Sequence, residues 1–385
     1  MSSTPADPVH PSGPARTPGR SRTPGRSHTP GADALAAAHP TGRILHVGPV
    51  ALRTSTRTIT VTVTLIVTAV VLGAVGMTVG SSSLPIGDVV AALLNGITGG
   101  PDLGKASKIV LDIRLPRVVT TVFAGAALGL SGAVFQSVSR NALGSPEIIG
   151  FTTGAATGAI TQIVIFDAGP VTVSLGAVSG GLATAVVVYL LSVKNRVTGG
   201  YRLILVGIGV GAVLQAANNL LLVTGDLDSA VTANFWLAGS LDARGWEHAL
   251  PVMTGVLVAI PLLLALGRRA TLMEMGDDTA SQLGIRVERT RLQLIAVAVL
   301  LAALATAAAG PIAFIALAAP QLATRLTRAP GMPVLTAAVT GSALLLVADV
   351  LARSVPVLAT APIGRVTGVV GGLYLIWLLA RTKQV

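Results

Sequence analysis

Apolar stretches of roughly 17–25 residues recur along the chain from Ile59 onward, separated by short polar, glycine-rich or proline-rich joints. A helix of that length covers the hydrocarbon core of a bilayer, about 30 Å thick. The pattern predicts spans over 59–80, 117–136, 151–167, 171–193, 202–223, 249–267, 291–309, 311–326, 333–352 and 365–381. The predicted fold class is an all-α membrane protein with about ten transmembrane helices. Residues 309–311 read as a tight turn or a kink. Two segments do not span. After Pro85-Ile86-Gly87-Asp88, residues Val89, Val90, Leu93 and Leu94 form one apolar stripe, which suits a short helix lying on the outer surface. The second is the joint between Gly267 and Arg291.

Composition agrees with the periodicity. Hydrophobic residues make up 52% of the chain and mean hydropathy is +0.76. Charged residues make up only 11%, against about 25% in soluble domains. The net charge of +11 is unevenly placed. Seven arginines (Arg16, Arg20, Arg22, Arg26, Arg43, Arg53 and Arg57) precede the first apolar run. With the N-terminus inside, 13 of the other Lys and Arg residues fall in inner joints and 7 in outer ones. That bias predicts cytoplasmic N- and C-termini in a multi-pass protein of the inner (plasma) membrane. The basic character therefore reads as topology, not nucleic-acid binding, and with 3% aromatics there are no stacking platforms for bases. The chain lacks cysteine, which excludes disulfides and thiolate metal sites. No cofactor and no metal-ligand set is read from the sequence.

Residues 1–57 stand apart from residues 58–385. The first segment holds a six-residue repeat, Thr17-Pro18-Gly19-Arg20-Ser21-Arg22, then Thr23-Pro24-Gly25-Arg26-Ser27-His28. Such a tract cannot bury enough apolar surface to offset its chain entropy, so a disordered basic cytoplasmic tail is expected. A polybasic arm on membrane lipids is the alternative. The run after it is too long for the core of a cleaved signal peptide.

The spans are rich in small residues, and Gly125-Ala126-Ala127-Leu128-Gly129 forms a small-xxx-small face for close helix packing. Polar residues expected within spans include Gln136, Gln215, Asn218, Asn219, Gln321 and Asp349. Buried amides usually bond to a neighbouring helix. An intramembrane carboxylate is a functional candidate by default, although capping or pairing suits Asp349 near a span end. Gln215, Asn218 and Asn219 share one helical face at i, i+3, i+4 spacing, which makes that face the candidate translocation path. Gly99 to Ala106 misses a phosphate loop: Gly99, Gly104 and Lys105 fit, but Ala106 replaces the required Ser or Thr. No ATP hydrolysis is expected in this chain.

Four motifs lie in order. Arg114-Leu115-Pro116-Arg117 leads into Gly125 to Gln136, and then Arg140-Asn141-Ala142-Leu143-Gly144-Ser145-Pro146-Glu147-Ile148-Ile149-Gly150. Met275-Gly276-Asp277-Asp278-Thr279-Ala280-Ser281-Gln282-Leu283-Gly284 follows. Next come Ala309-Gly310-Pro311 with Pro320-Gln321-Leu322, and Ala348-Asp349 through Arg353 with Pro362-Ile363-Gly364. These motifs resemble the FecCD permeases of iron–siderophore and vitamin B12 importers, over about residues 60–381. Ala142 stands where that family usually has proline, and Gln321 where it usually has histidine. The variants are more similar to catecholate-siderophore permeases than to vitamin B12 permeases.

The resemblance implies a permease subunit of an ATP-binding-cassette importer for ferric siderophores. It implies cytoplasmic ATPase subunits, an extracytoplasmic siderophore-binding protein and a second permease, identical or related. Met275, Gly276, Asp277, Asp278, Ala280, Leu283 and Gly284 would belong to the loop that couples to the ATPase. On the residues alone that loop is a short helix capped by Asp277 or Asp278 and ended by Gly284, or a plain turn. Arg114, Arg117 and Arg353 would meet acids of the binding protein; on the residues alone they could simply anchor helix ends. Arg365, where the family usually has an apolar residue, could attract an anionic chelate at the outer mouth, or pair with a neighbour. Vitamin B12 or haem transport, an ion-coupled carrier, and a receptor or structural role are the alternatives.

Overall fold

The computed structural model describes residues 42–47, 50–80, 84–99, 104–194, 197–198, 200–355, 358 and 361–381. Thirteen helices follow a short two-stranded sheet among these residues. The strands β1 (Gly42–Val47) and β2 (Val50–Ser55) occupy the end of the segment expected to lack structure. Residues 1–41, with the six-residue repeat, lie outside the described residues. Ser55 then caps α1 (Thr56–Thr78), its side chain accepting from the Thr58 N–H at 3.1 Å. The helix α2 (Ile86–Thr98) forms where a short amphipathic segment is expected, but the expected stripe divides: Val89 and Leu93 turn inward, whereas Val90 and Leu94 do not. Val89 and Ala92 pack inward with Met77, Val110 and Leu346, while Ile86, Val90, Leu94 and Ile97 are exposed.

The bundle is organised around α3 (Lys105–Ser139), a 35-residue helix that is the most buried of the long ones. Its first part contains a π-helical turn, Ile109–Arg114, directly before Pro116. Proline has no N–H to give the carbonyl four residues back, and a π turn absorbs that defect without breaking the helix. Then come α4 (Phe151–Val164), α5 (Pro170–Ser192), α6 (Gly200–Thr224), α7 (Leu227–Leu237) and α8 (Trp246–Glu274). The strands β3 (Val193–Lys194) and β4 (Val197–Thr198) pair between α5 and α6. The six-residue α9 (Asp277–Gln282), α10 (Val287–Ala309), α11 (Ile315–Thr327), α12 (Val334–Ser354) and α13 (Ile363–Arg381) complete the chain. α3 packs on α8, α10, α11 and α12.

Glycine sets the closest of these contacts. A Cβ at Gly132 would lie 1.7 Å from the Ala316 carbonyl oxygen of α11, and one at Gly125 would lie 2.5 Å from that of Gly341 in α12. Backbones that close exclude any side chain, and contact at this range supplies the packing that lipid cannot drive. The Ser131 hydroxyl donates to Ala298 O of α10 at 2.8 Å, and that of Ser342 to Val122 O at 2.7 Å.

Seven helices among the described residues are long and apolar enough to cross a membrane: α1, α3, α5, α6, α8, α10 and α12. The expected spans 151–167 and 311–326 correspond to shorter helices. α4 has 14 residues and α11 has 13. At 1.5 Å per residue each is only about 20 Å long, too short to cross alone. Both are preceded by non-helical chain. A 3-10 turn at Pro146–Ile149 and Gly150 (φ 73°) lead into α4; Gly310 (φ 72°) and Phe314 (φ 69°) bracket the segment before α11. The joint expected at 309–311 is thus a five-residue break, not a tight turn. Ala316, the second residue of α11, touches Gly132 well inside α3. Non-helical backbone at that depth is tolerated where protein or a cavity surrounds it.

Candidate functional site

Three polar clusters stand out: two well separated along α3, and a third where the chain breaks before α4 and α11 meet. Arg117, a third of the way along α3, and Arg140, which caps its C-terminus, mark the first two, 23 residues and so about 35 Å apart along the axis.

At the Arg117 end, Asp349 of α12 is fully buried between two arginines. Arg117 donates Nε–H and Nη2–H to its Oδ1 at 3.1 and 2.7 Å. Arg353, one turn along α12, donates Nη2–H to Oδ2 at 2.5 Å, and Nη1–H to the Gly76 and Val79 carbonyls at 2.9 and 3.0 Å. Arg114 is itself only 6% exposed and donates to the Met77 carbonyl at 2.5 Å. The last carbonyls of a helix lack intrahelical partners, and here arginines from α3 and α12 satisfy those of α1. The outward Nη1–H of Arg117 donates to Asp242, whose side chain is 79% exposed. All three arginines expected to meet a binding protein are therefore engaged within the chain. Asp349 sits in the paired state expected for a carboxylate near a span end.

At the Arg140 end lies α9. Its N-cap is Gly276, at φ 117°, where only glycine is at ease; the expected cap by Asp277 or Asp278 is not formed. The two acids occupy the first turn instead, where they suit the helix dipole. Asp277 reaches sideways, its Oδ2 2.7 Å from Nη2 of Arg291 and its Oδ1 3.4 Å from Nη2 of Arg140. Arg291 is 2% exposed and also pairs with Glu288 of its own helix. The Ser137 hydroxyl donates to Glu274 Oε1 at 2.6 Å. The Asp277 pairs tie α9 to the end of α3 and to α10, and the Ser137 bond ties α3 to α8. Gly284, at φ 83°, follows the helix as expected, its N–H donating to Ser281 O at 2.9 Å. Ala280 is buried, whereas Met275 (66%) and Leu283 (59%) project from either side of α9.

In the third cluster, the two chain breaks meet. The Glu147 carboxylate accepts from the Ser145 hydroxyl at 3.3 Å and from the Phe314 N–H. The left-handed backbone of Phe314 costs about 1–3 kcal/mol. Glu147 and Arg365 face one cavity of about 320 Å³, with Thr152, Asn234 and Pro311 also in its wall. Arg365 forms no ion pair among the described residues.

The amide face on α6 divides. Gln215 and Asn219 are exposed, and the amide of one donates to the other at 3.1 Å. Asn218 is 2% exposed and donates to Thr153 O of α4 at 3.4 Å. The i+3 member has rotated onto the α4 contact, so one expected face serves two purposes. The two motif departures also touch: Gln321 donates Nε2–H to Ala142 O at 2.7 Å.

Sequence reasoning did not single out Asp242 or Glu147. The i, i+4 spacing of Asp349 and Arg353 and the i, i+3 spacing of Glu288 and Arg291 were visible signals for pairing. Asp242 lies 125 residues from Arg117, and no local pattern announces that contact.

A family model described as the FecCD transport family matches residues 65–381. The ferric enterobactin transport system permease of Escherichia coli (strain K12) is 42% identical over 315 residues, covering 81% of this chain and 93% of its own. The Fe(3+)-citrate import system permease of Bacillus subtilis (strain 168) is 36% identical over 274 residues, covering 70% and 81%. The cobalamin import system permease of Halobacterium salinarum is 37% identical over 285 residues, covering 73% and 75%. Among solved structures, an inward-facing conformation of a metal-chelate type ABC transporter superposes with a TM-score of 0.73 at 27% identity, over 84% of this chain and 99% of that one. With matches over most of its length in sequence and in fold, the chain belongs to the FecCD transport family.

Proposed function

We propose that this chain is the transmembrane permease subunit of an ATP-binding-cassette importer that moves ferric-siderophore complexes across the plasma membrane. The observation that carries this reading is the 42% identity to a ferric enterobactin permease over nearly that protein's whole length. ATP hydrolysis belongs to separate cytoplasmic subunits. Ten membrane crossings with both termini inside remain the topology best matched to the charge bias, α4 and α11 crossing together with the non-helical chain before them. Residues 1–57 form the cytoplasmic tail, with residues 58–385 as the permease domain.

In this reading the Arg140 end is cytoplasmic. α9 is the coupling element: Met275 and Leu283 give it exposed apolar contacts for the ATPase, and Asp277 passes motion to α3 and α10. Gly276 and Gly284 bound the lever, Asp278 presents charge to the partner and Ala280 seats it on the bundle. The Arg117 end is extracytoplasmic, and Arg114, Arg117 and Arg353 hold the rim on which the siderophore-binding protein docks. Gln215 and Asn219 face outward from a helix with little of its surface buried. Two amides aimed at lipid are unfavourable. Their exposure supports a water-filled path between α6 and a second permease subunit. A carrier driven by an ion gradient would need a titratable relay, whereas Asp349 is neutralised by two arginines.

Arg365 supplies the one test of charge selection in the path. Arg365→Leu should lower uptake of an anionic ferric siderophore about fivefold or more, on the scale of one lost charge interaction of roughly 1 kcal/mol. Uptake of a neutral ferric hydroxamate should hardly change. Equal rates for the anionic substrate in both proteins would remove Arg365 from the path. The importer reading as a whole predicts that an ATPase subunit co-purifies with the tagged permease.

A further inference from the structure

Arg117 divides its guanidinium between two very different carboxylates. The inner edge, Nε and Nη2, is committed to Asp349, which is fully buried and shared with Arg353. The outer Nη1 is held at 2.5 Å by Asp242, whose side chain is 79% exposed. An ion pair with one partner in water is weak and readily exchanged, whereas the buried one is not. Asp242 lies on the joint between α7 and α8, residues 238–245. That joint turns through Gly239 (φ 68°) and Ala243 (φ 53°); the alanine has no side-chain group to support a left-handed backbone. Ser240 fixes the turn, its N–H donating to Ala309 O at 2.9 Å and its hydroxyl accepting from the Asp242 N–H at 3.0 Å. The turn that offers a carboxylate to Arg117 is thus anchored at the end of α10, beside the break that leads to α11.

We propose that Asp242 is an internal stand-in for a carboxylate of the docking protein. In the free permease it occupies the outward edge of Arg117. An acidic side chain on the binding protein displaces it, and the 238–245 turn is released from Arg117 at that moment. This rests on the docking reading of Arg117 given above. The surface fits an acidic partner: once Asp242 swings away, the exposed edge presents Arg117 N–H groups with the buried Asp349 behind them. Docking therefore reports to the α10–α11 break through a turn of a few residues.

The test uses the full permease with its ATPase in nanodiscs and the cognate siderophore-binding protein, measured by surface binding at low and physiological salt. Asp242→Asn removes the competitor while leaving a side chain of the same shape. It should tighten binding about threefold at low salt, the scale of one exposed ion pair, and the gain should shrink as salt rises. Arg117→Lys keeps a charge beside Asp349 but loses the second edge, and should weaken binding. Weaker or unchanged binding by Asp242→Asn, with Arg117→Lys impaired, overturns the stand-in role alone. Unchanged binding by Arg117→Lys overturns the docking reading and the proposal with it.

Discussion

Asp349→Ala is expected to lower the stability of the solubilised permease by about 3–5 kcal/mol, the range found when one member of a buried ion pair is removed. Asp349 is 0% exposed and accepts three hydrogen bonds from two arginine side chains. Its loss leaves Arg117 and Arg353 largely buried beside each other with no carboxylate between them. Like charges at that range repel, and Arg353 cannot reach water without leaving the carbonyls at the end of α1. Unfolding by a denaturing detergent, followed through the fluorescence of the three tryptophans, measures the shift. Asp242→Asn serves as the comparison and should change stability by less than about 1 kcal/mol, because its carboxylate faces water. Equal effects of the two substitutions would mean that the buried pair does not organise this end of the bundle.

The second large effect is expected at α9. Asp277→Asn removes the charge that Arg291 and Arg140 share, while Glu288 still covers Arg291. The helix should still form, because Gly276 and not Asp277 caps it. The ATPase should still co-purify and hydrolyse ATP. Transport per ATP hydrolysed should fall about tenfold, within the usual range of a coupling free energy of 1–3 kcal/mol. Replacing 275–284 by a flexible Gly/Ser linker should lose the ATPase altogether. If Asp277→Asn transports normally, α9 does not act through its arginines; if the linker variant retains the ATPase, α9 is not where the partner binds.

Much of this arrangement was legible in the chain, for identifiable reasons. Helix-length apolar runs locate α1, α3, α5, α6, α8, α10 and α12 closely, because in lipid a run of that length has few other structures open to it. In 151–167 and 311–326 the same rule found the apolar runs but not that their helices, α4 and α11, are only 14 and 13 residues long. Apolar content does not reveal that Pro146 to Gly150 and Gly310 to Phe314 leave the helix inside the bundle. Gly310-Pro311 marked a break but not its length. Arg114, Arg117 and Arg353 were found as a group, yet their partners were not: a buried arginine and a surface arginine have the same sequence signature until Asp349 and Asp242 are brought beside them. Likewise the spacing of Gln215, Asn218 and Asn219 identified an amide-rich helix but could not tell that Asn218 turns to α4.

The most direct test of the permease assignment is uptake by proteoliposomes holding this chain with its ATPase subunit, supplied with a radiolabelled ferric catecholate siderophore on its binding protein. The account predicts accumulation that needs ATP inside the cytoplasmic face and the binding protein outside, and that persists when ion gradients are collapsed. Accumulation driven by an ion gradient with no ATPase present would contradict it.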